Sequence, residues 1–248
     1  MSQLKDHVLV EVTIAKGVDE VWRAIRDRDQ IERWFGWDAD SLAEEIEYIF
    51  STHAIEDAAR HIVQFDDMKD RFELEAQGQN CVLRVVRAVA EEEATWEKYY
   101  DGMVEGWINF VQQLKWAMEA HDLGPRRTLF YSGPAIEDHG VPSEELGLAE
   151  VYDLRPGTSL SGMRTPDAAP LGALWHTSAF QIGVTVPEWG NGMLIITDQP
   201  ATKDSDAPRG YCILTTYGMR DEAFAALDRK WSAWWNERFE SKAPECSD

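Results

Sequence analysis

The chain has 248 residues, 44% of them hydrophobic and 28% charged, and a formal net charge of -21. That size accommodates one large domain or two ordinary ones, and no apolar run approaches the roughly 20 residues that crossing a bilayer requires. Acids exceed bases in both halves, so nucleic acid and anionic membrane surfaces are excluded as partners by repulsion.

Residues 1–6 are polar and Glu11 interrupts the first apolar stretch, so no signal-peptide segment is expected, which makes the cytoplasm the expected location. Cys81, Cys212 and Cys246 form no CxxC pair and are too few for a disulfide framework. Cys81 and Cys212 open strand-like runs, where a thiol serves as a small buried hydrophobe.

Val8, Val10, Val12 and Ile14 alternate with Leu9, Glu11 and Thr13, the period of a half-buried strand. The period then changes: Val18, Val21, Trp22 and Ile25 form one helical stripe, with Asp19 and Glu20 in the first turn. Asp29 with Glu32 predicts a second short helix ending at Gly36, and Ser41 with Glu44 starts a third over about 42–52, where a strand is the alternative. A hairpin follows, 71–76 against 81–89 across Gln77-Gly78-Gln79-Asn80. Beyond the acidic run 91–93, Tyr100, Met103, Val104, Trp107, Val111, Leu114 and Met118 predict a helix over about 97–120. Such a helix would span about 35 Å, long enough to cross a sheet. Gly102 and Gly106 inside it suggest either close packing against that sheet or room for a ligand.

Leu123-Gly124-Pro125 breaks the pattern. The second half repeats the first loosely: a strand over 128–131, at most a short helix over 143–148, and a hairpin of 174–186 with 193–197 around an Asn-Gly turn. A strand over 211–217 follows, then an aromatic-rich helix over about 220–240. The expected architecture is α+β, a curved antiparallel sheet wrapped around a long C-terminal helix in residues 1–122, in tandem with a shorter second copy in 123–248 that lacks most of the early helices.

Catalytic motifs of fixed spacing are absent, and no histidine has a metal-ligand partner at suitable spacing; neither a metal nor a cofactor is expected. His176, beside Trp175 in an apolar strand run, suits either a cavity-facing acid or base or a histidine bonded to a neighbour. Glu73 and Glu75 share the solvent face of their strand. Arg84 and Arg87 fall on opposite faces of the next, so one of them would anchor an anionic group if it pointed inward.

The opening strand-turn-helix with Val21-Trp22, then Arg33-Trp34-Phe35, and finally Gly106-Trp107 with Leu114, resemble the START-like helix-grip superfamily (SRPBCC), and within it homologues of the activator of heat-shock protein ninety ATPase. The resemblance covers about residues 8–120. It implies a cavity between sheet and long helix, lined by Trp34, Phe35, Trp37, Phe72, Leu83, Met103, Trp107 and Val111, with Trp175 and His176 as candidates in the second half. Such a cavity suits a small apolar or aromatic ligand held by a non-enzymatic carrier or sensor. The alternatives are a cyclase or dehydratase acting in the same cavity, and a protein-interaction or co-chaperone-like module whose interior is filled by side chains. Oligomeric state and protein partners have no signature in the sequence.

Overall fold

A computed structural model describes residues 4–66, 69–90, 101–201 and 207–240. It divides into two compact units, Met1–Gly124 and Pro125–Asp248. The acidic run 91–93, the expected helix start near 97 and Cys246 lie outside the described residues.

In the first unit β1 (Leu4–Ile14) leads through α1 (Val18–Ala24), α2 (Arg28–Ile31) and α3 (Leu42–Glu47) to β2 (Ala54–Asp57), β3 (Ile62–Phe65), β4 (Asp70–Gln77), β5 (Asn80–Ala90) and α4 (Gly102–His121). The strands form an antiparallel sheet ordered β1-β5-β4-β3-β2. Val10, Val12 and Ile14 turn inward with Val63, Phe65, Phe72, Leu74, Leu83 and Val85. Trp107, Val111, Leu114, Ala117 and Met118 of α4 join that same core, together with Val21, Ile25 and Ile31 from the early helices. One face of the sheet therefore carries both the long helix and the short ones, which is the helix-grip arrangement.

Several details depart from the sequence pattern. The register slips between Val8 and Val10, so Leu9 is an extra residue and Val8, expected inward, is 55% exposed. The second helix is a single turn capped by Asp27, whose carboxylate accepts the Asp29 amide, because the early residue free to cap is Asp27 and not Asp29. The third helix changes to π geometry over Tyr48–Thr52. There the Phe50 carbonyl accepts Nη1 of Arg26 at 2.7 Å, and the same guanidinium pairs with Glu56. A carbonyl taken up by a side chain is what a π turn accommodates. In α4, Gly102 is the first helical residue, next to the N-cap Asp101, and so is not interior. A side chain at Gly106 would meet only Phe110, at 3.9 Å, so close packing against the sheet does not explain that glycine.

The second unit runs β6 (Arg126–Pro134), α5 (Pro142–Glu145), a 3-10 turn (Ala149–Asp153), β7 (Leu174–Thr177), β8 (Gln181–Val186), β9 (Gly192–Gln199), β10 (Arg209–Tyr217) and α6 (Asp221–Asn236). Its antiparallel sheet is ordered β6-β10-β9-β8-β7, the same permutation as the first. The chain is thus an α+β tandem of two helix-grip-like units, the second without counterparts of most of the early helices. The run 174–186, expected as one strand, is broken at 178–180 into β7 and β8. The turn after β8 places Gly190 and Asn191 at φ of 71° and 60°. A side chain at Gly190 would meet the Tyr217 carbonyl at 1.9 Å, so this turn needs glycine for space as well as for its dihedral.

Residues 154–173 form a strap in place of the missing helices. Leu160, Ala169 and Leu171 from it enter the core with Leu194, Ile196, Leu214, Trp231 and Trp235.

Candidate active site

Of the residues expected to line a cavity in the first unit, six converge. Trp34, Phe35, Phe72, Leu83, Trp107 and Val111 are all buried in one cluster. They meet each other rather than a space. Phe35 stands edge-on to Phe50 at 4.9 Å between centroids, Phe50 to Phe65 at 5.5 Å and Phe65 to Phe72 at 5.0 Å. Trp107 closes the series, stacked on Phe65 at 5.4 Å and edge-on to Phe72 at 4.9 Å. The Trp34 indole donates to the Ala24 carbonyl at 2.9 Å. These contacts are those of a side-chain-filled core. Trp37 is half-buried beside Phe110 at 6.5 Å, and Met103, expected on the inward stripe, is 45% exposed in the first turn of α4.

Arg87 is the inward arginine of β5. Its Nε and Nη2 reach Oδ1 and Oδ2 of Asp70 at 2.5 and 2.8 Å, and its Nη1 reaches Asp101 at 3.1 Å. The Trp107 indole also donates to Asp70 Oδ2, at 2.8 Å. The inward cation that would anchor an anionic ligand is thus answered by the protein's own carboxylates. Arg84 points outward and pairs with Glu11 and Glu75. An open hollow of about 140 Å³ in this unit, lined by Lys16, Arg23, Met118 and Asp122 among others, contains none of the expected residues.

The second unit holds two buried polar clusters, on opposite faces of its sheet. Adjacent strand residues point to opposite sides, so Thr197 and Asp198 of β9 serve different clusters. On one side, His176 Nε2 meets Gln181 Oε1 at 2.9 Å, and the Gln181 amide donates to Thr197 Oγ1 at 3.1 Å. The ring occupies the space a side chain at Gly183 would need, 2.2 Å away. Burial holds the imidazole down to about 4, so it is neutral at pH 7. Trp175 beside it is half-buried.

On the α6 side, Asp198 accepts the Ser143 amide at 3.0 Å, the Ser143 hydroxyl at 2.5 Å and the Tyr152 hydroxyl at 2.8 Å. α5 presents Ser143 and the following 3-10 turn presents Tyr152. Gly210, opposite Asp198 on β10, leaves the room Pro142 occupies; a side chain there would meet Pro142 at 2.7 Å. Asp198 is 7% exposed, whereas Tyr152 is half-buried and carries the cluster toward solvent. Burial raises the proton affinity of Asp198 in spite of the three donors. Sequence reading missed this cluster: its members lie 46 and 55 positions apart, and no motif joins them. Among the described residues no group of three or more acidic, histidine or cysteine side chains is arranged to hold a metal ion. No described helix is long and apolar enough to cross a membrane.

No family model and no curated protein matches the chain. Among the solved structures that do are the di-domain ARO/CYC BexL from the BE-7585A biosynthetic pathway and the di-domain ARO/CYC StfQ from the steffimycin biosynthetic pathway. Each is 10% identical with a TM-score of 0.30; the match covers 97% of this chain and 100% of BexL, and 92% and 93% for StfQ. Both structures are described as aromatase/cyclases. The expectation of a non-enzymatic carrier with its ligand in the first unit is corrected by the packing there: the residues assigned to that cavity pack against one another.

Proposed function

We propose that the chain is an acid–base enzyme of the cyclase or dehydratase kind, working in its second unit, with Asp198 giving and taking the proton. The observation that supports this is a buried carboxyl whose proton affinity is raised and whose hydrogen-bonded Tyr152 leads toward the surface. Groups with shifted proton affinity are what acid–base chemistry near neutral pH requires.

On a β-hydroxy ketone, the carboxylate removes the proton α to the carbonyl. The resulting enolate expels the β-hydroxyl, which leaves as water with that same proton, and an enone remains. Tyr152 and Ser143 hold the carboxyl in place by donating to it. On this reading residues 1–122 and 123–248 are two domains, the first a rigid companion. Its likeness to activator homologues then reflects shared fold markers, and the location is cytoplasmic.

The experiment is conversion of a β-hydroxy-β-phenyl ketone to its enone by the full chain, followed by absorbance. Asp198→Asn should abolish the rate above buffer, a typical acid–base contribution being 10²–10⁴, and Tyr152→Phe, which removes one donor that holds the carboxyl, should lower it by about tenfold. The reading fails if the wild-type chain gives no more than buffer, or if Asp198→Asn retains full rate. A second reading, an interaction module, is favoured by the ring-filled interior of the first unit; under it, Asp198→Asn changes only the melting temperature.

A further inference from the structure

The strap over the second unit is fastened unevenly. Its base is stitched by backbone hydrogen bonds: Leu160 N to the Gly172 carbonyl at 2.8 Å, Leu174 N to the Thr158 carbonyl at 2.9 Å, and Gly172 N to the Thr185 carbonyl at 2.8 Å. Its tip, residues 164–170, is a small loop closed on itself by the Arg164–Pro170 bridge and by Thr165 N to the Ala169 carbonyl.

Among the described residues, the polar bonds from the tip to the rest of the unit all run through Asp167. Oδ2 accepts the Trp189 indole at 3.1 Å, Oδ1 accepts the Trp231 indole at 2.9 Å, and the backbone carbonyl accepts Lys230 Nζ at 3.2 Å. One residue therefore pins the tip to both the β8–β9 connection and α6. Asp167 is itself held by the Thr165 hydroxyl at 2.6 Å.

One turn further along α6, Trp235 is 1% exposed and stacks on Phe239 at 4.2 Å. Its indole N–H has no acceptor among the described residues. A buried donor left unanswered is unfavourable, and an oxygen on an entering molecule would answer it. Tyr131 and Phe239 stack on the Trp235 ring at 6.0 and 4.2 Å, so a molecule that enters must part these rings and, to take a place between them, be planar itself.

We infer that the strap tip is a gate, latched by Asp167, that admits a planar carbonyl-bearing molecule to the α6 side of the second unit. The gate rests on the second unit being the working one, and the latch geometry is independent of the reaction. Opening is a local event, since the strap base stays stitched.

Two buried thiols make this measurable in the full chain. Cys212 lies in the core beneath the strap and Cys81 in the core of the first unit, each fully buried. Labelling by a dithiodipyridine reagent, resolved by peptide mass spectrometry, reports access to each core separately. Asp167→Asn should speed labelling of Cys212 by about tenfold and leave Cys81 unchanged, and should speed tryptic cleavage after the exposed Arg164 by a similar factor. Trp189→Phe, which removes one donor only, should give a smaller change of the same sign. Equal acceleration at both cysteines, or no acceleration in either variant, overturns the gate. If Cys212 alone responds but the ketone is not dehydrated, the gate stands and the proposed reaction falls.

Discussion

The guanidinium of Arg87 grips both carboxylate oxygens of Asp70, directly opposite it at the open end of the β4–β5 pair and beneath the first turns of α4. Asp70 is fully buried, whereas Arg87 is 14% exposed and also pairs with Asp101. Removing Arg87 therefore strands the buried Asp70 charge, at a cost of about 3–5 kcal/mol. Arg87→Met should lower the stability of the first unit by that order in urea unfolding. Replacing both partners with Leu and Met should recover most of the loss, and a double variant as unstable as the single one would show that the pair acts otherwise.

Gly106 sits in the interior of α4 where an added methyl group meets only Phe110, at ordinary van der Waals distance. Gly106→Ala should stabilise the chain by about 0.5–1 kcal/mol through helix propensity alone. Differential scanning calorimetry would read this as a raised Tm. A lowered Tm would mean the position is closed to a side chain.

His176 gives the second unit an acid limit. An unfolded histidine takes a proton near 6.5, and the buried ring does so only near 4. As pH falls from about 6.5 toward 4 the unfolded state therefore binds a proton the native state refuses, and stability declines through that window by up to roughly 3 kcal/mol. His176→Gln should flatten the decline, measured as the urea midpoint against pH. An unchanged slope would assign the loss to other groups.

Gly210 fixes the seat of α5. A methyl group there meets the Thr197 carbonyl at 2.3 Å and Pro142 at 2.7 Å, so Gly210→Ala must displace α5 or bend β10. The expected loss is about 1–3 kcal/mol. Because Ser143 leaves with α5, the amide of Ser143 should exchange with deuterium faster than that of buried Thr216, while equal rates would place the strain in β10 instead.

Much of the fold was legible in short-range pattern. The alternation of Val10, Val12 and Ile14, the stripe Val21, Trp22 and Ile25, and the β4–β5 hairpin are local, because side-chain direction repeats every two residues in a strand and about every 3.6 in a helix. The same periodicity put Trp107, Val111 and Leu114 on one face of α4, and the order of elements exposed the tandem.

What sequence alone determined, then, was which residues face inward; what tertiary structure decided was whether they meet a cavity or each other. Trp34, Phe35, Phe72 and Trp107 have the same inward signature in either case, and only their ring-to-ring distances show the space filled. Likewise Arg87 reads as an inward cation from strand parity, but its answer by Asp70 and Asp101 depends on how β4, β5 and α4 converge. Asp198 with Ser143 and Tyr152, and Asp167 with Trp189 and Trp231, join residues 22 to 64 positions apart. Periodicity says nothing at that range, since such contacts are set by chain path and packing and not by local conformational preference.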